Sequence, residues 1–226
     1  MINISNRLKT VASFVLEDNK TKSLIDVGCD HALLDIYLLQ NNDKLKIVAS
    51  DINKGPLDKA KENITKYSFL DKIELILSDG ISKINESIDT VVISGMGKDT
   101  ILEILTNDKE KITNVEKLVI SSNNKFPSLR QDICALGFII DKEKIVYEDG
   151  KFYIIMRFIK GNTNYSEKET YFGPYLLQNK DSLFKKYYTY LLEEKTYILN
   201  NIPKEYKEKR KNIEMELKML VEEIKN

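Results

Sequence analysis

The chain has 226 residues, 42% of them hydrophobic, with Lys plus Arg and Asp plus Glu equal at 35 each. This balance gives no indication of a nucleic-acid partner, and no apolar run of about 18 residues is present to cross a membrane. One histidine and two cysteines without a CxxC pair exclude a structural zinc site. The polar first residues argue against a secretory signal. We therefore expect a cytoplasmic protein with no metal and no membrane contact.

Seven β-rich runs organise the first 160 residues. They are 23–27, 46–51, 72–77, 89–95, 116–121, 137–148 and 151–159. Segments of helical length separate the first five, at 30–41, 54–67, 97–108 and 125–136. Strands that alternate with helices predict βαβ units and a parallel sheet. The last two runs meet at Asp149-Gly150, a strong hairpin signal. The sequence thus predicts an α/β fold with a mostly parallel seven-stranded sheet that ends in an antiparallel hairpin.

Residues 161–226 have no strand pattern. A polar linker at 161–164 precedes a short helix that Gly173-Pro174 interrupts. Two longer helices follow, and each places apolar residues on one side: Phe184, Tyr187, Tyr188, Leu191 and Ile198 in the first, and Tyr206, Ile213, Leu217, Leu220 and Ile224 in the second. The second set has heptad spacing. We predict two domains, 1–160 and 161–226, the second a C-terminal α-helical coiled coil.

The stretch LIDVGCDHALLD, from Leu24 to Asp35, contains the carboxyl end of the first predicted strand. In an open α/β sheet, ligands bind at the carboxyl ends of the strands. Gly28 lets the backbone approach a ligand closely. A nicotinamide dinucleotide would require GxGxxG, but residues 28–33 read GCDHAL. Asp30 would also repel a pyrophosphate. The pattern favours a cationic ligand without phosphate.

Three further strand ends carry residues of ligand-binding type. Asp51 can accept hydrogen bonds from ribose hydroxyls. In Ser78-Asp79-Gly80, the side chain can accept a hydrogen bond from the amino group of adenine. Ser94-Gly95-Met96-Gly97 would bring backbone close to a reacting centre. Each feature alone is ordinary turn or cap chemistry, but a series of four along one sheet edge is not. The ligand that fits is S-adenosylmethionine, and the order of the runs matches the class I (Rossmann-like) methyltransferase sheet.

Several motifs resemble one family along nearly the whole chain. They are Arg7-Leu8, VGCDHALL, SDG, SGMG, EDG at 148–150, the Gly-Pro at 173–174 and the coiled-coil pattern. Together they resemble the bacterial tRNA (adenine(22)-N1)-methyltransferase family of the TrmK type. The chain departs from the family pattern at three places. Asp35 replaces a proline, Lys98 replaces the second glycine of GMGG, and Ser121-Ser122-Asn123 replaces Gln-Pro-Asn.

The resemblance implies methyl transfer from S-adenosylmethionine to N1 of adenine 22 in tRNA. The residues expected to bind the cofactor are Asp26, Gly28, Cys29, Asp51, Ile52, Asp79, Gly80, Ser94, Gly95 and Met96. Those expected at the target base are Met96, Gly97 and Asn123. The expected catalytic residues are Asp30, which would stabilise positive charge on the ring, and His31 and Arg7.

Simpler interpretations of these residues remain open. Asp30 could cap the following helix, and His31 could be a structural hydrogen-bonding residue. Arg7 could be an ordinary surface residue of an N-terminal helix. Cys29 is interpreted as a small residue whose backbone lines the pocket.

The residues expected to bind tRNA are the basic run KEYKEKRK at 204–211 and the tyrosines of the C-terminal part. The alternative is a solvated coiled-coil face with tyrosines at its seam. Two other functions also remain open. One is a class I methyltransferase that acts on another RNA, a protein or a small molecule. The other is a catalytically silent RNA-binding adaptor. We expect a monomer.

Overall fold

The computed structural model describes residues 1–225. The strands are β1 (Ser23–Val27), β2 (Lys46–Asp51), β3 (Ile73–Leu77), β4 (Thr90–Met96), β5 (Lys117–Ser122), β6 (Phe138–Glu148) and β7 (Lys151–Lys160). The α-helices are α1 (Asn6–Leu16), α2 (Leu33–Asn41), α3 (Lys54–Lys66), α4 (Lys98–Asn107), α5 (Phe126–Ala135), α6 (Glu167–Phe172), α7 (Pro174–Gln178), α8 (Ser182–Asn201) and α9 (Lys207–Lys225). A 3₁₀ helix, Lys109–Asn114, lies between α4 and β5.

The strands form one sheet in the order β3-β2-β1-β4-β5-β7-β6. Strands β1 to β5 pair in parallel, and β7 runs antiparallel between β5 and β6. The predicted sheet and its terminal hairpin are confirmed. Because β1 lies beside β4, the order of the strands reverses between them, and this is where such sheets bind ligands.

The central strands β1, β4 and β5 are buried on both faces along most of their length, so apolar residues dominate them. Successive residues of a strand point to opposite faces. Val91 and Ile93 therefore join one apolar cluster with α4, α5 and the C-terminal helices. Val92 joins the other cluster with α1, α2 and α3. This layering fixes the strand ends that form the candidate site.

A buried ion pair attaches the C-terminal helices to the sheet. Arg130 Nε in α5 donates to Glu143 Oε1 in β6 at 2.7 Å, and both side chains are fully buried. Arg130 Nη1 donates to the carbonyls of Thr170 and Tyr171 at the end of α6. A Cβ at position 173 would lie 2.4 Å from Glu143 Oε2, and Gly173 has φ of 93°. Glycine is thus required where the chain passes this pair.

The helices α8 and α9 form a hairpin. Arg210 Nη1 donates to the carbonyls of Leu199 and Ile202 at 2.8 and 2.9 Å. These carbonyls end α8, where the helix itself leaves acceptors unpaired. One basic residue of the run 204–211 is therefore engaged within the protein.

The apolar side of α8 packs against the sheet domain. Phe184, Tyr187 and Tyr188 lie in the same buried cluster as the sheet residues, and the Tyr188 hydroxyl donates to the Phe172 carbonyl at 2.7 Å. Tyr206, expected in the seam between the helices, is largely exposed. The coiled coil and the division at residue 160 stay predictions.

Among residues 1–225, no helix is both long and apolar enough to cross a bilayer. The same residues contain no group of three or more His, Cys, Asp or Glu arranged to hold a metal ion. Both cysteines, Cys29 and Cys134, are free thiols.

Candidate active site

The ends of four neighbouring strands meet at one edge of the sheet. β1 ends at Val27, β2 at Asp51, β3 at Leu77 and β4 at Met96. Parallel strands carry their carboxyl ends to the same edge, so the four sequence motifs lie side by side. We call the space above these strand ends, at the point where the strand order reverses, the cleft.

Gly28 holds the loop after β1 close to β2. The amides of Gly28 and Cys29 both donate to the Ser50 carbonyl at 2.9 Å. Gly28 has φ of 73°, a left-handed conformation that glycine adopts without strain. A Cβ there would lie 2.5 Å from Cε of Met96. A side chain at this position would therefore displace Met96 and narrow the cleft.

Asp30 and His31 project from the same loop. Asp30 and Ala32 also have positive φ, of 50° and 55°. The helix α2 begins at Leu33, with Ala32 as an N-cap that offers no side-chain acceptor. The interpretation of Asp30 as a helix cap is thus wrong, and the helix starts three residues later than predicted. The exposed Asp30 carboxylate lies 3.4 Å from Nε2 of His31.

Beneath this loop lie two buried carboxyl groups. Burial raises the pKa of Asp26 to about 7, with a smaller increase from Asp51 and an opposing effect of Arg7. Burial and then Asp26 raise the pKa of Asp35 well above its ordinary value. Neither carboxyl oxygen of Asp35 has a hydrogen-bond partner among the described residues. Because the folded protein holds these protons more tightly than the unfolded chain, the free energy of unfolding falls as pH rises above 3.8 and through about 7.

The ends of β2 and β3 carry Asp51 and Asp79, the two acidic residues predicted to bind a nucleoside. Asp51 Oδ1 accepts from the Asn53 amide at 2.8 Å. The next residue, Ile52, is 63% exposed and offers an apolar surface. Asp79 is exposed, and a Cβ on its neighbour Gly80 would lie 3.2 Å from Ile104.

Arg7 reaches the cleft from α1. Its Nη1 donates to the Ser94 hydroxyl at the end of β4. Its guanidinium lies 5.2 Å from the ring centroid of Tyr153 in β7, within the range of a cation–π contact. A Cβ on Gly95 would be 3.8 Å from Nη1 of Arg7. The structure thus places Arg7 at the mouth of the cleft; its catalytic role stays a prediction.

The loop after β4 and the loop after β5 meet at Gly97. A Cβ added to Gly97 would lie 3.3 Å from Nδ2 of Asn124 and 3.7 Å from Oδ1 of Asn123. Asn124 Oδ1 accepts from the Lys98 amide at 3.1 Å. Both asparagines are exposed. Two amide side chains, not only the predicted Asn123, therefore border this end of the cleft.

Cys29 is unsuited to nucleophilic chemistry. The residue is buried, and burial together with nearby carboxylates, Asp26 first, raises the pKa of its thiol far above the ordinary range. The thiolate is the reactive form of cysteine. The geometry leaves the backbone of Cys29 as its contribution to the cleft.

A groove of about 1660 Å³ extends from the cleft towards the C-terminal helices. Arg7, Gly95 and the loop after β5 with Asn123 line one end, and residues of α5, α6, the β6–β7 hairpin, α8 and α9 line the rest. The basic run 204–211 lies outside the walls of this groove in the described part of the chain. Its role in binding tRNA stays a prediction.

A protein-family model described as "tRNA (adenine(22)-N(1))-methyltransferase" matches residues 24–226. The chain belongs to the TrmK family. A curated TrmK relative from Bacillus subtilis, a tRNA (adenine(22)-N(1))-methyltransferase, is 28% identical over 208 residues, which are 89% of this chain and 86% of the relative. The predicted family is confirmed.

Solved TrmK structures share the whole fold. TrmK of M. capricolum, in complex with S-adenosyl-homocysteine, is 33% identical with a TM-score of 0.86 and covers 98% of each chain. A putative tRNA (m1A22) methyltransferase from Streptococcus pneumoniae, in complex with S-adenosyl-L-methionine, is 30% identical with a TM-score of 0.87. The alignment covers 98% of this chain and 100% of that one.

The cleft of this TrmK protein fits S-adenosylmethionine. Asp26, Asp30 and Asp51 all lie close enough to Cys29 to raise the pKa of its thiol, and such a concentration of carboxyl groups suits a ligand with an ammonium and a sulfonium. The amides of Gly28 and Cys29 are already bonded to Ser50, so they are not free to cradle a phosphate. This arrangement is opposite to that of a dinucleotide site, in which backbone amides point at the pyrophosphate.

The three departures from the TrmK pattern have distinct structural roles. Lys98 Nζ binds Asp132 of α5 at 2.7 Å, so its side chain is held against α5. The Ser122 hydroxyl donates to the Asn124 carbonyl. Asp35 is one of the two buried carboxyl groups beneath the loop after β1.

The structure adds two residues to the site that the sequence analysis missed, Tyr153 and Asn124. The aromatic-rich strand β7 and the Asn123-Asn124 pair were the sequence signals that could have indicated them.

Proposed function

We propose that this chain transfers the methyl group of S-adenosylmethionine to N1 of adenine 22 in tRNA. The observation that carries the proposal is the convergence of four ligand-type strand ends on one cleft, in a chain that matches the TrmK family over residues 24–226. The protein acts in the cytoplasm, as a monomer, with tRNA as its partner.

The cofactor is held by residues of all four strand ends. The Asp51 carboxylate accepts hydrogen bonds from both ribose hydroxyls, and Asp79 accepts from the adenine amino group. Asp26 in its ionised form attracts the ammonium. The backbone at Gly28, Cys29, Gly80, Ser94 and Gly95 forms the walls, and Ile52 covers the adenine ring. When bound, S-adenosylmethionine supplies an electrophilic methyl group whose bonding electron pair leaves with sulfur.

The residues of the chain act mainly by positioning. Adenine N1 carries an in-plane lone pair, so no residue has to remove a proton before N1 attacks. Well-oriented reactants save on the order of 7–11 kcal/mol of barrier. Met96 packs on the face of the base, while Gly97 and Asn123 contact its edge. Arg7, fixed by Ser94 and Tyr153, stands at the mouth, where the RNA enters.

Asp30 stabilises the positive charge that develops on the adenine ring. Its side chain is exposed beside the cleft and is not used as a helix cap. His31 lies within 3.4 Å and holds the carboxylate in place when protonated. Charge stabilisation of this kind acts in the transition state and therefore raises kcat.

Asp30→Asn should lower kcat by roughly 100-fold, because it removes the charge and keeps the shape. The dissociation constant for S-adenosylhomocysteine should change little, since Asp30 acts on the base. Steady-state methylation of tRNA and isothermal titration calorimetry measure the two quantities. Asp43→Asn, on an exposed loop outside the cleft, is the matched control. Wild-type kcat in Asp30→Asn would remove Asp30 from the mechanism.

Cofactor affinity should increase with pH. The ammonium favours ionised Asp26, and the pKa of this carboxyl group lies near 7. Between pH 6 and 7.5 its ionised fraction rises roughly eightfold, and the affinity for S-adenosylhomocysteine should rise by the same factor. Calorimetry across this range is the measurement, with Asp43→Asn again as the control. The proposal for Asp26 fails if Asp26→Asn keeps the wild-type pH profile.

The function itself is tested with an unmodified tRNA transcript, S-adenosylmethionine and the purified protein. Nucleoside mass analysis should detect N1-methyladenosine. Cofactor binding without methylation of any tRNA would instead favour a methyltransferase with another substrate. Absence of cofactor binding would favour the silent RNA-binding adaptor.

A further inference from the structure

Three aromatic rings and one lysine form an exposed cluster at the β6–β7 hairpin. The rings of Tyr147 and Phe152 have centroids 4.6 Å apart, and Tyr190 of α8 lies 5.9 Å from Phe152. Lys186 Nζ lies 3.8 Å from the centroid of Tyr147. We call Tyr147, Phe152, Lys186 and Tyr190 the aromatic–lysine cluster.

The cluster is open to solvent in the protein alone. Tyr147 is 41% exposed and Tyr190 is 51% exposed, and Lys186 is also exposed. Buried Tyr187 lies beneath it, with its ring centroid 5.2 Å from Phe152. The core therefore holds one side of the cluster rigidly and leaves ring surface available for a flat ligand.

Three lysines line this end of the groove, and the acidic turn residues Glu148 and Asp149 are not among its lining residues. Lys151 of the hairpin and Lys185 of α8 are exposed and line the same groove as Lys186. The acidic groove residues of α8, Glu193 and Glu194, lie about two turns further along the helix. Aromatic faces beside clustered lysines match a nucleobase with its phosphate, because rings stack on bases and lysines attract phosphates.

The cluster lies on the path to the active site. It shares the groove with Arg7, Gly95 and Asn123. Phe152 and Tyr153 are adjacent in β7, where successive side chains point to opposite faces. Phe152 faces Tyr190, and Tyr153 faces Arg7. Both Phe152 and Tyr153 nevertheless line the groove, which therefore reaches from the cluster to Arg7.

We infer that the aromatic–lysine cluster is a second RNA subsite, which stacks an unpaired nucleobase of the tRNA while adenine 22 occupies the cleft. This inference rests on the proposed function. N1 of adenine is its pairing edge, so the target must be unpaired and unstacked to react. Disruption of that stack exposes other bases of the tRNA, and single-stranded bases are what aromatic side chains recognise in RNA.

The test measures the affinity of an unmodified tRNA transcript for full-length variants by fluorescence anisotropy. Tyr147→Ala and Tyr190→Ala should each raise the dissociation constant about tenfold, the effect of losing one stacked base. Tyr147→Phe should stay near wild type because it keeps the ring. Lys186→Ala should reduce the slope of log K against log salt by about 0.7–0.9.

Leu70→Ala and Lys44→Ala are the controls, since both residues are exposed, lie outside the groove and are not among those expected to bind tRNA. Each should keep wild-type tRNA affinity, and calorimetry should give every variant the wild-type affinity for S-adenosylhomocysteine. Wild-type tRNA affinity in Tyr147→Ala and Tyr190→Ala, or an equal loss in the controls, overturns the subsite. A wild-type protein that binds tRNA without methylating it overturns the proposed function, and the affinity comparison still decides the subsite.

Discussion

Glu143→Gln is expected to lower the free energy of unfolding by about 3–5 kcal/mol. The substitution would leave the Arg130 guanidinium fully buried without its counter-charge. Both Glu143 oxygens are used, since Oε1 accepts from Arg130 and Oε2 accepts from the Tyr175 amide at 3.2 Å. An uncompensated buried charge is among the most destabilising changes known for single substitutions.

Urea unfolding followed by circular dichroism measures this effect. Glu86→Gln, at an exposed position, should change the free energy of unfolding by less than about 0.5 kcal/mol. The double variant Arg130→Met with Glu143→Leu should recover much of the loss, because apolar side chains of similar size can replace a buried pair. A loss below about 1 kcal/mol in Glu143→Gln would contradict the assignment of this pair as the attachment of the C-terminal helices.

Asp51→Ala is expected to raise the dissociation constant for S-adenosylhomocysteine by on the order of 100-fold or more. Hydrogen bonds to a charged group contribute about 1.5–3 kcal/mol each, and the proposal gives Asp51 two of them. The carboxylate is already oriented by the Asn53 amide at 2.8 Å, so little ordering is needed on binding. Loss of the side chain should leave the tRNA affinity of the free protein unchanged.

Isothermal titration calorimetry gives the measurement. Asp51→Asn should lie between wild type and Asp51→Ala, because the amide keeps one acceptor oxygen. Asp58→Ala, on the exposed side of α3, should bind as wild type. Affinity within threefold of wild type for Asp51→Ala would show that the ribose is bound elsewhere.

The elements of the sheet follow from local sequence. The β-branched runs predicted each strand to within one or two residues, and Asp149-Gly150 predicted the hairpin. Both turn residues have positive φ, of 49° and 77°, as a two-residue hairpin turn requires. The Gly173-Pro174 break between α6 and α7 was also visible in the sequence. Such signals are local, because one or two residues determine each of them.

The loop after β1 was less predictable. Ala32 has a left-handed backbone conformation, which alanine disfavours. No residue beside it in the sequence predicts this conformation. The conformation depends on the bonds of the preceding residues to Ser50 and of the His31 carbonyl to Asn63. These contacts join elements that lie far apart in the chain, so a local pattern cannot reveal them.

Long-range side-chain contacts were the main features missed. Arg7 meets Ser94 and Tyr153 only because α1 packs beside the ends of β4 and β7. The sequence analysis predicted tRNA binding by the basic run 204–211 and the C-terminal tyrosines, from charge and aromatic content. The groove between the hairpin and the middle of α8 was not predicted, because only the folded chain brings Tyr147 beside Lys186.

The most direct test of the proposed function compares two unmodified tRNA transcripts, one with adenine at position 22 and one with guanine there. Each is incubated with the protein and S-adenosylmethionine, digested and examined by nucleoside mass analysis. The proposed function predicts about one N1-methyladenosine per molecule of the first transcript, as expected for a single target base, and none in the second. Equal methylation of both transcripts, or methylation of neither, would contradict it.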